Sequence, residues 1–457
     1  MSTHPATASA RFVSRLSPPG RLVGLDAARG LALLTMMVTH IFPLTDEMGD
    51  PTWAAIFSGR ASALFAVLAG CSLVLSTRGT LEATGRLRDV APGVLVRAAS
   101  IIVVGLFLGA ITTNLAVILV NYGVMFALAL LFLRLRPWAL FTLAGLWMAL
   151  SPLVSMWVRS TYGLETSYSA MSWFDLGALG PMLTDLVFTG YYPILQWMAY
   201  ILLGMAVAKI DIGRHLTALF LAGVALFAIG RGGSWFLLDV AGGRAELEAL
   251  AATSGADLNA ALFINSYGVT PPDSWWWLAI AGPHSATPFD LISTAGTSLA
   301  AIAVLQAAAI LLGRRSWLLA PLSAPGSMPL TVYAAHVVLV EITHPFYQPA
   351  PMIEQADPAK ITTEYAIHAL TFIILAIVWK VLVSPRGPLE GVIASLVKAV
   401  SPVRAGNGQG AEAAPGTAAA APPAHRADPP ANPGPPANPD PPAHPDPPAH
   451  PGPPDRR

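Results

Sequence analysis

Charge is what this sequence has least of. Lysine, arginine, aspartate and glutamate together make up 11% of the 457 residues, and hydrophobic side chains make up 54%. Water-soluble domains carry about 25% charged residues. A surface this poor in charge cannot be solvated by water, so the natural solvent is a bilayer. Cysteine is nearly absent: Cys71 stands alone in an apolar run. That excludes an intrachain disulfide framework and a Cys-based metal site, and reads Cys71 as a small buried apolar residue. Neither sign of charge predominates, with 26 basic and 26 acidic residues. No basic run with interleaved aromatics occurs, which argues against nucleic acid as a partner.

What the sequence does have is apolar runs long enough to cross ~30 Å of hydrocarbon. They fall at about 22–44, 58–77, 95–113, 114–133, 137–158, 188–208, 215–239, 288–313, 318–341 and 364–384. The first exceeds a signal-peptide core, carries Asp26 and Arg29, and lacks a small-residue cleavage site, so it reads as a retained helix. The expected fold is all-α: a polytopic membrane helix bundle of about ten transmembrane helices. Three segments follow: an N-terminal segment 1–20, a transmembrane domain 21–395, and a tail 396–457. From about Pro402 the tail is Ala, Pro, Gly and little else, with a repeating hexad from Pro429. It cannot bury apolar surface and is expected to be disordered with polyproline character. His425, His444 and His450 within it read as solvated bystanders.

Arginine and lysine set the expected orientation. Arg11, Arg15 and Arg21 precede the first span, and Arg78, Arg86, Arg88 and Arg97 lie between the second and third. Arg134 and Arg136 follow the fourth, Lys209 and Arg214 the sixth, Arg314 and Arg315 the eighth, and Arg386 the tenth. With ten spans and both termini cytoplasmic, all share one face. The long loops 159–187 and 240–287 then lie outside. They carry Tyr162, Tyr168, Trp173, Tyr267, Trp275, Trp276 and Trp277, read as an interfacial aromatic belt or, alternatively, as a platform for an extracellular ligand.

Ionisable groups inside spans are costly and point to function. The first helix reads Arg21-Leu-Val-Gly-Leu-Asp26-Ala-Ala-Arg29-Gly and continues to Thr39-His40. At about 100° per residue, the step from Arg29 to His40 returns within ~20° of the same face, ~16 Å along the axis. Asp26 lies about 60° from Arg29, so one stripe carries an acid, a guanidinium and an imidazole. The plainer reading is an Asp26–Arg29 pair at the interface with Arg29 snorkelling. His336 falls in the ninth span. His284 and Asp290 belong to Pro283-His284-Ser-Ala-Thr-Pro288-Phe-Asp290, where Thr287-Pro288 marks a helix start. A histidine at such a junction suits acid–base work. His215, His344 and His368 read as bystanders near helix ends.

The stretch Arg21 to Ala32, Leu-Asp26-Ala-Ala-Arg29-Gly at its centre, resembles the opening helix of the bacterial transmembrane acyltransferases, the heparan-alpha-glucosaminide N-acetyltransferase-like family and its uncharacterised integral-membrane relatives. The spacing of Arg29 and His40 is similar to that of the broader membrane acyltransferase superfamily. Thr189-Gly190-Tyr-Tyr-Pro193-Ile-Leu-Gln-Trp197, Gly204-Met205, Pro283 to Asp290, Met328-Pro-Leu-Thr331-Val-Tyr333-Ala-Ala-His336 and Gly387-Pro388-Leu389-Glu390 extend the resemblance, in order, over about 20–395.

The resemblance implies a multi-pass protein of the bacterial cell membrane, both termini cytoplasmic. It would move an acyl group, acetyl in the first instance, from cytoplasmic acyl-CoA to a sugar, glycolipid or other envelope acceptor at the outer face. Acyl-CoA is then a co-substrate, with no tightly bound cofactor and no metal. His40 is the expected general base and His284 the second catalytic candidate. Asp26, Arg29, Asp290, Tyr333 and His336 are expected to bind substrate or co-substrate. The CoA polyphosphate needs cations, for which Arg78, Arg86, Arg88, Arg97, Arg134 and Arg136 are candidates. Two rivals remain: a transporter or flippase of an amphiphilic envelope precursor, suggested by Pro193, Pro321, Pro325 and Gly326 inside spans, and a non-catalytic anchor that uses the Pro-rich tail as a ligand.

Removal of residues 405–457 should leave membrane insertion and any transfer activity unchanged. Membrane accumulation of the truncated chain is the measurement; failure to accumulate would make the tail structural.

Overall fold

In hydrocarbon, backbone polar groups must be paired within their own segment. The computed structural model answers this with helices: it describes residues 15–18, 20–112, 115–343 and 357–401, and among these no strand occurs. In chain order the α-helices are α1 Val23–Ile41, α2 Arg60–Thr84, α3 Ala91–Ile111, α4 Leu119–Ala129 and α5 Pro137–Tyr162. Next come α6 Leu179–Thr184, α7 Ile194–Ala208, α8 Leu216–Trp235, α9 Gly243–Ser254 and α10 Leu258–Phe263. The last are α11 Pro288–Leu312, α12 Ala320–Gly326, α13 Pro329–Thr343, α14 Pro358–Leu382 and α15 Pro388–Val400. Proline opens α5, α11, α13, α14 and α15, where its missing N–H costs nothing.

Each of the ten expected spans meets a helix, but they are not ten equivalent crossings. Six helical stretches are long and apolar enough to span by length and composition: Trp53–Thr84, Ala91–Ile111, Pro137–Tyr162, Leu216–Val240, Pro288–Gly326 and Pro358–Leu382. A seventh arises if Leu179–Thr189 and Ile194–Ala208, bent by 54° at their break, form one span. Leu119–Phe132 and Pro329–Thr343 are shorter; at 1.5 Å per residue they reach only about 21–23 Å. α1 carries Asp26 and Arg29 in its first two turns. The apolar side chains that point away from the bundle, such as Val103, Leu146, Leu221, Ile229 and Ile374, are exposed, as lipid-facing positions should be.

Lipid gives no hydrophobic drive between helices, so close packing through small residues does the work. A Cβ on Gly30 of α1 would fall 1.8 Å from the Leu322 carbonyl oxygen of α12, and one on Gly326 would fall 1.8 Å from that of Asp26. The same closeness joins α2 and α7: a Cβ on Gly204 would fall 1.8 Å from the Val67 carbonyl oxygen, and one on Gly70 would fall 2.2 Å from that of Ile201. Two reciprocal glycine crossings thus hold α1 against α12 and α2 against α7.

The segment 240–287 is built, not merely looped. Leu238, Leu247, Leu262, Trp277 and Ile280 form a second small core with Met156 of α5. Trp277 is 1% exposed and donates its indole N–H to Asp273 at 2.8 Å. It therefore serves the core, whereas Tyr162, Tyr168, Trp173, Tyr267 and Trp275 stay exposed. At the other end of the chain, α15 runs to Val400, past residue 395, where the tail was expected to begin. Residues 402–457, with the hexad repeat from Pro429, lie outside the described residues.

Gly30→Ala should lower the melting temperature in detergent, at a cost of about 1–3 kcal/mol from overpacking. Gly79→Ala in α2, where a Cβ meets nothing within 4 Å, should be neutral or slightly stabilising. Size-exclusion monitored melts of the two variants make the comparison.

Candidate functional site

The polar stripe of α1 is real, but its two ends face different partners. At the N-terminal end Asp26 is 3% exposed. Arg21 donates through Nε to its Oδ2, and Arg29 Nη1 donates to its Oδ1 at 2.7 Å. The second arm of Arg29 donates to Ser72 Oγ on α2 at 2.8 Å. Both carboxylate oxygens are thus committed to guanidiniums, which fix the Arg29 fork between α1 and α2. Arg97 joins this end, with Nη1 donating to Ser76 Oγ at 3.3 Å and its guanidinium 5.4 Å above the Phe126 ring. Of the other arginines considered for polyphosphate, Arg78 pairs with Glu82 at 2.6 Å on the surface and Arg88 lies 3.9 Å from Asp89.

At the far end of α1, His40 Nδ1 lies 3.0 Å from His336 Nε2 of α13. The two rings are nearly parallel, at 7° and 5.3 Å between centroids. One nitrogen must donate and the other accept. If His40 donates, its Nε2 keeps a free lone pair and His336 carries its proton on Nδ1, which is buried without a partner. His40 is half-buried and His336 buried. His368, expected to be a bystander, instead lies 1% exposed and edge-on to His336 at 6.0 Å; α14 carries it into the bundle. His344 lies outside the described residues. Tyr333, one turn before His336, is buried and stacks on Phe65 at 6.4 Å.

The two C-terminal motifs of the sequence meet here. Glu390 accepts the backbone N–H groups of Leu330 at 2.7 Å and Thr331 at 3.2 Å, and the Thr331 hydroxyl at 2.6 Å. A carboxylate from α15 thereby satisfies the open N-terminus of α13, the helix that presents Tyr333 and His336.

His284 occupies a strained turn. Its φ is 55° and that of Ala286 is 49°, a region disfavoured for residues with a Cβ and held only where the surroundings demand it. The surroundings do so: Asp290 Oδ2 accepts the Ala286 N–H at 3.1 Å, Thr287 caps α11, and Gly268 N–H donates to the His284 carbonyl at 2.8 Å. The Gly59 N–H donates to His284 Nε2 at 3.2 Å, while Nδ1 is buried without a partner. The break at Gly190–Pro193 sets Tyr191 4.7 Å and Tyr192 5.7 Å from the imidazole, and Trp197 stacks at 6.2 Å. Burial, and after it repulsion from the like-charged form of His40, push the His284 pKa down to about 3. His284 is therefore neutral near pH 7, with its proton on Nδ1 because Nε2 accepts. That makes it a hydrogen-bond donor rather than a base.

Beside this turn lies a cleft of about 360 Å³ lined by Trp53, Arg60, Arg231, Pro283 and Asp290 among others. Sequence reasoning found Asp290 but missed Arg60 and Arg231. Both lie inside expected spans, so the rule that intramembrane charge marks function, applied to Asp26 and Arg29 in the first span, would have found them had it been carried to the second and seventh. Arg159 of α5, also missed, is 2% exposed and donates to the Thr270 carbonyl at 2.5 Å, pinning the outer segment. Lys380 of α14, 2% exposed, lies in the field of Arg21 and Asp26. Among the described residues no group of three or more His, Cys, Asp or Glu side chains is arranged to hold a metal ion.

The structure thus brings His40 to His336 and His284 to the aromatic break, and separates both from Asp26 and Arg29 along α1. Residues 21–231 match the family model described as Heparan-alpha-glucosaminide N-acetyltransferase, catalytic. No curated protein matches the chain. Asp26, Arg29, His40, Arg60 and Tyr191 fall within the matched stretch; His284, Asp290, Tyr333 and His336 lie beyond it. Over residues 21–231, somewhat less than half of its length, the chain is thus similar to the heparan-alpha-glucosaminide N-acetyltransferase catalytic family.

Proposed function

We propose that the protein is an acyl-CoA-dependent membrane acyltransferase. It takes an acyl group, acetyl by analogy with the matched family, from a donor held at the Arg29 end of α1. The group passes to a hydroxyl or amine acceptor at the His40 end, the outer face in the orientation expected from the arginines. The observation that carries this reading is the 3.0 Å contact of His40 with His336, in a chain that matches an N-acetyltransferase catalytic domain.

His336 accepts from His40 Nδ1 and so directs the lone pair of His40 Nε2 outward, the logic of a base oriented by a hydrogen-bonded partner. His40 takes the acceptor proton as the acceptor oxygen or nitrogen bonds to the thioester carbon. The C–S bond then breaks, and CoA leaves as a thiol with the proton His40 held. The Nδ1–H of His284 supports a donor role toward the carbonyl oxygen as negative charge develops there. Arg29, steadied by Asp26 and Ser72, and Arg97 are the cations nearest the donor end. Tyr333 and Asp290 take substrate-facing positions in this reading. The flippase alternative draws on the 54° break before α7. In the acyltransferase reading the same break delivers Tyr191 and Tyr192 to His284.

His40→Ala should reduce acetyl transfer by roughly 10²- to 10⁴-fold with acetyl-CoA binding nearly unchanged; full activity in that variant would remove His40 from the mechanism. His336→Gln, which keeps an acceptor for His40, should retain more activity than His336→Ala, and the order would be reversed or absent if His336 only packed. His284 stays neutral at every pH above about 3, so the acid limb of kcat/KM should be the same in wild type and His284→Gln. A limb that vanishes in His284→Gln would overturn the donor role. Purified folded protein that neither binds nor consumes acetyl-CoA would favour the transport reading.

A further inference from the structure

The cleft beside His284 has a charge imbalance that the transfer chemistry does not use. Its ionisable lining consists of Arg60, Arg231 and Asp290. The two guanidiniums are near enough to repel each other, and Asp290 is the carboxylate in their shared field. No ion pair within 4 Å forms among the three, unlike the Asp26 cluster. Arg231 gives Nη1 to the Ala281 carbonyl at 2.8 Å, and Arg60 gives Nη1 to the Ile56 carbonyl. Each guanidinium has five N–H donors, so most remain unclaimed in a concave, partly buried setting. Two forks and one carboxylate leave a surplus positive charge shaped for a bidentate oxyanion.

The rim of the same cleft is apolar. Trp53 is 54%, Ile56 60% and Phe263 41% exposed, at the end of the bundle where α1 finishes and α2 and α11 begin. An anion-binding floor under an apolar rim, on a lipid-embedded bundle, fits an amphiphile better than a freely soluble ion. The cleft also shares a wall with the proposed reaction centre: Pro283 lines it, and Gly59, between Ser58 and Arg60, holds His284 Nε2.

We infer that this cleft seats an amphiphilic acceptor through a phosphate headgroup, with the oxyanion on Arg60 and Arg231 and the hydrocarbon part along Trp53, Ile56 and Phe263. Asp290 faces the acceptor's neighbouring hydroxyl or amine. The inference deepens the acyltransferase reading and rests on it for the word acceptor; the binding claim stands by itself.

The test uses the purified full-length chain in detergent, with dihexanoyl phosphatidic acid, dihexanoyl phosphatidylcholine and inorganic phosphate as probes in thermal-shift and native mass-spectrometry titrations. Phosphatidic acid should bind wild type and raise its melting temperature. Arg60→Gln with Arg231→Gln should weaken that binding roughly 100-fold, since two charge-assisted contacts are lost. Ile56→Glu, at a 60% exposed rim position, places a repelling carboxylate without disturbing the core, so it reads the site even if the double variant does not fold. Phosphatidic acid that fails to bind wild type, or binds Ile56→Glu equally, overturns the inference. Inorganic phosphate that stabilises as well as phosphatidic acid at equal concentration overturns the amphiphile part. Acetyl-CoA binding, measured on the same samples, separates the readings: its loss in wild type with phosphatidic acid binding intact counts against acyl transfer and leaves the subsite standing.

Discussion

Everything at the site hangs on how closely α1 lies against its neighbours. Backbone touches backbone where Gly30 and Gly326 cross, with no room for a single Cβ. That contact sets both the rotation and the depth of α1, since sliding the helix by one residue would turn another side chain into the crossing. With α1 fixed, Asp26 and Arg29 are delivered to Ser72 at one end and His40 to His336 at the other. Packing in lipid depends on shape more than on solvent exclusion, and here shape places the chemistry.

The two polar ends are maintained by opposite electrostatic strategies. Near Asp26 the charges are matched, two guanidiniums on one carboxylate, and further bound by a serine hydroxyl. A cluster so satisfied holds its geometry and leaves Arg29 little freedom. Around His284 the groups are instead left short of partners: a buried Nδ1, a left-handed backbone and two arginines without a carboxylate in contact. Buried groups without partners are costly, and such costs persist where function requires an incoming ligand to supply the missing contact.

Much of this was legible in the sequence, in particular ways. A step of eleven residues from Arg29 to His40 puts both on one stripe, and the helix Val23–Ile41 runs through it without interruption. Thr287-Pro288 announced the start of α11. The expected count of about ten spans is met by six or seven helices of spanning length among the described residues, because hydropathy does not distinguish a 14-residue helix such as Leu119–Phe132 from a full crossing. Arg60 and Arg231 could each have been picked out as charges inside expected spans, but their mutual proximity across 171 positions of chain could not. His368 looked peripheral near a helix end and proved central because α14 leans toward α13.

Glu390 carries a consequence for the order of assembly. It closes the N-terminus of α13 from 60 residues further along the chain. During synthesis that helix, with Tyr333 and His336 on it, emerges with its first amides unmet. The carboxylate that closes the helix bearing His336 therefore arrives only once α15 has been made. The imidazole pair thus joins α1 to a helix whose N-terminal cap is supplied last among the described helices.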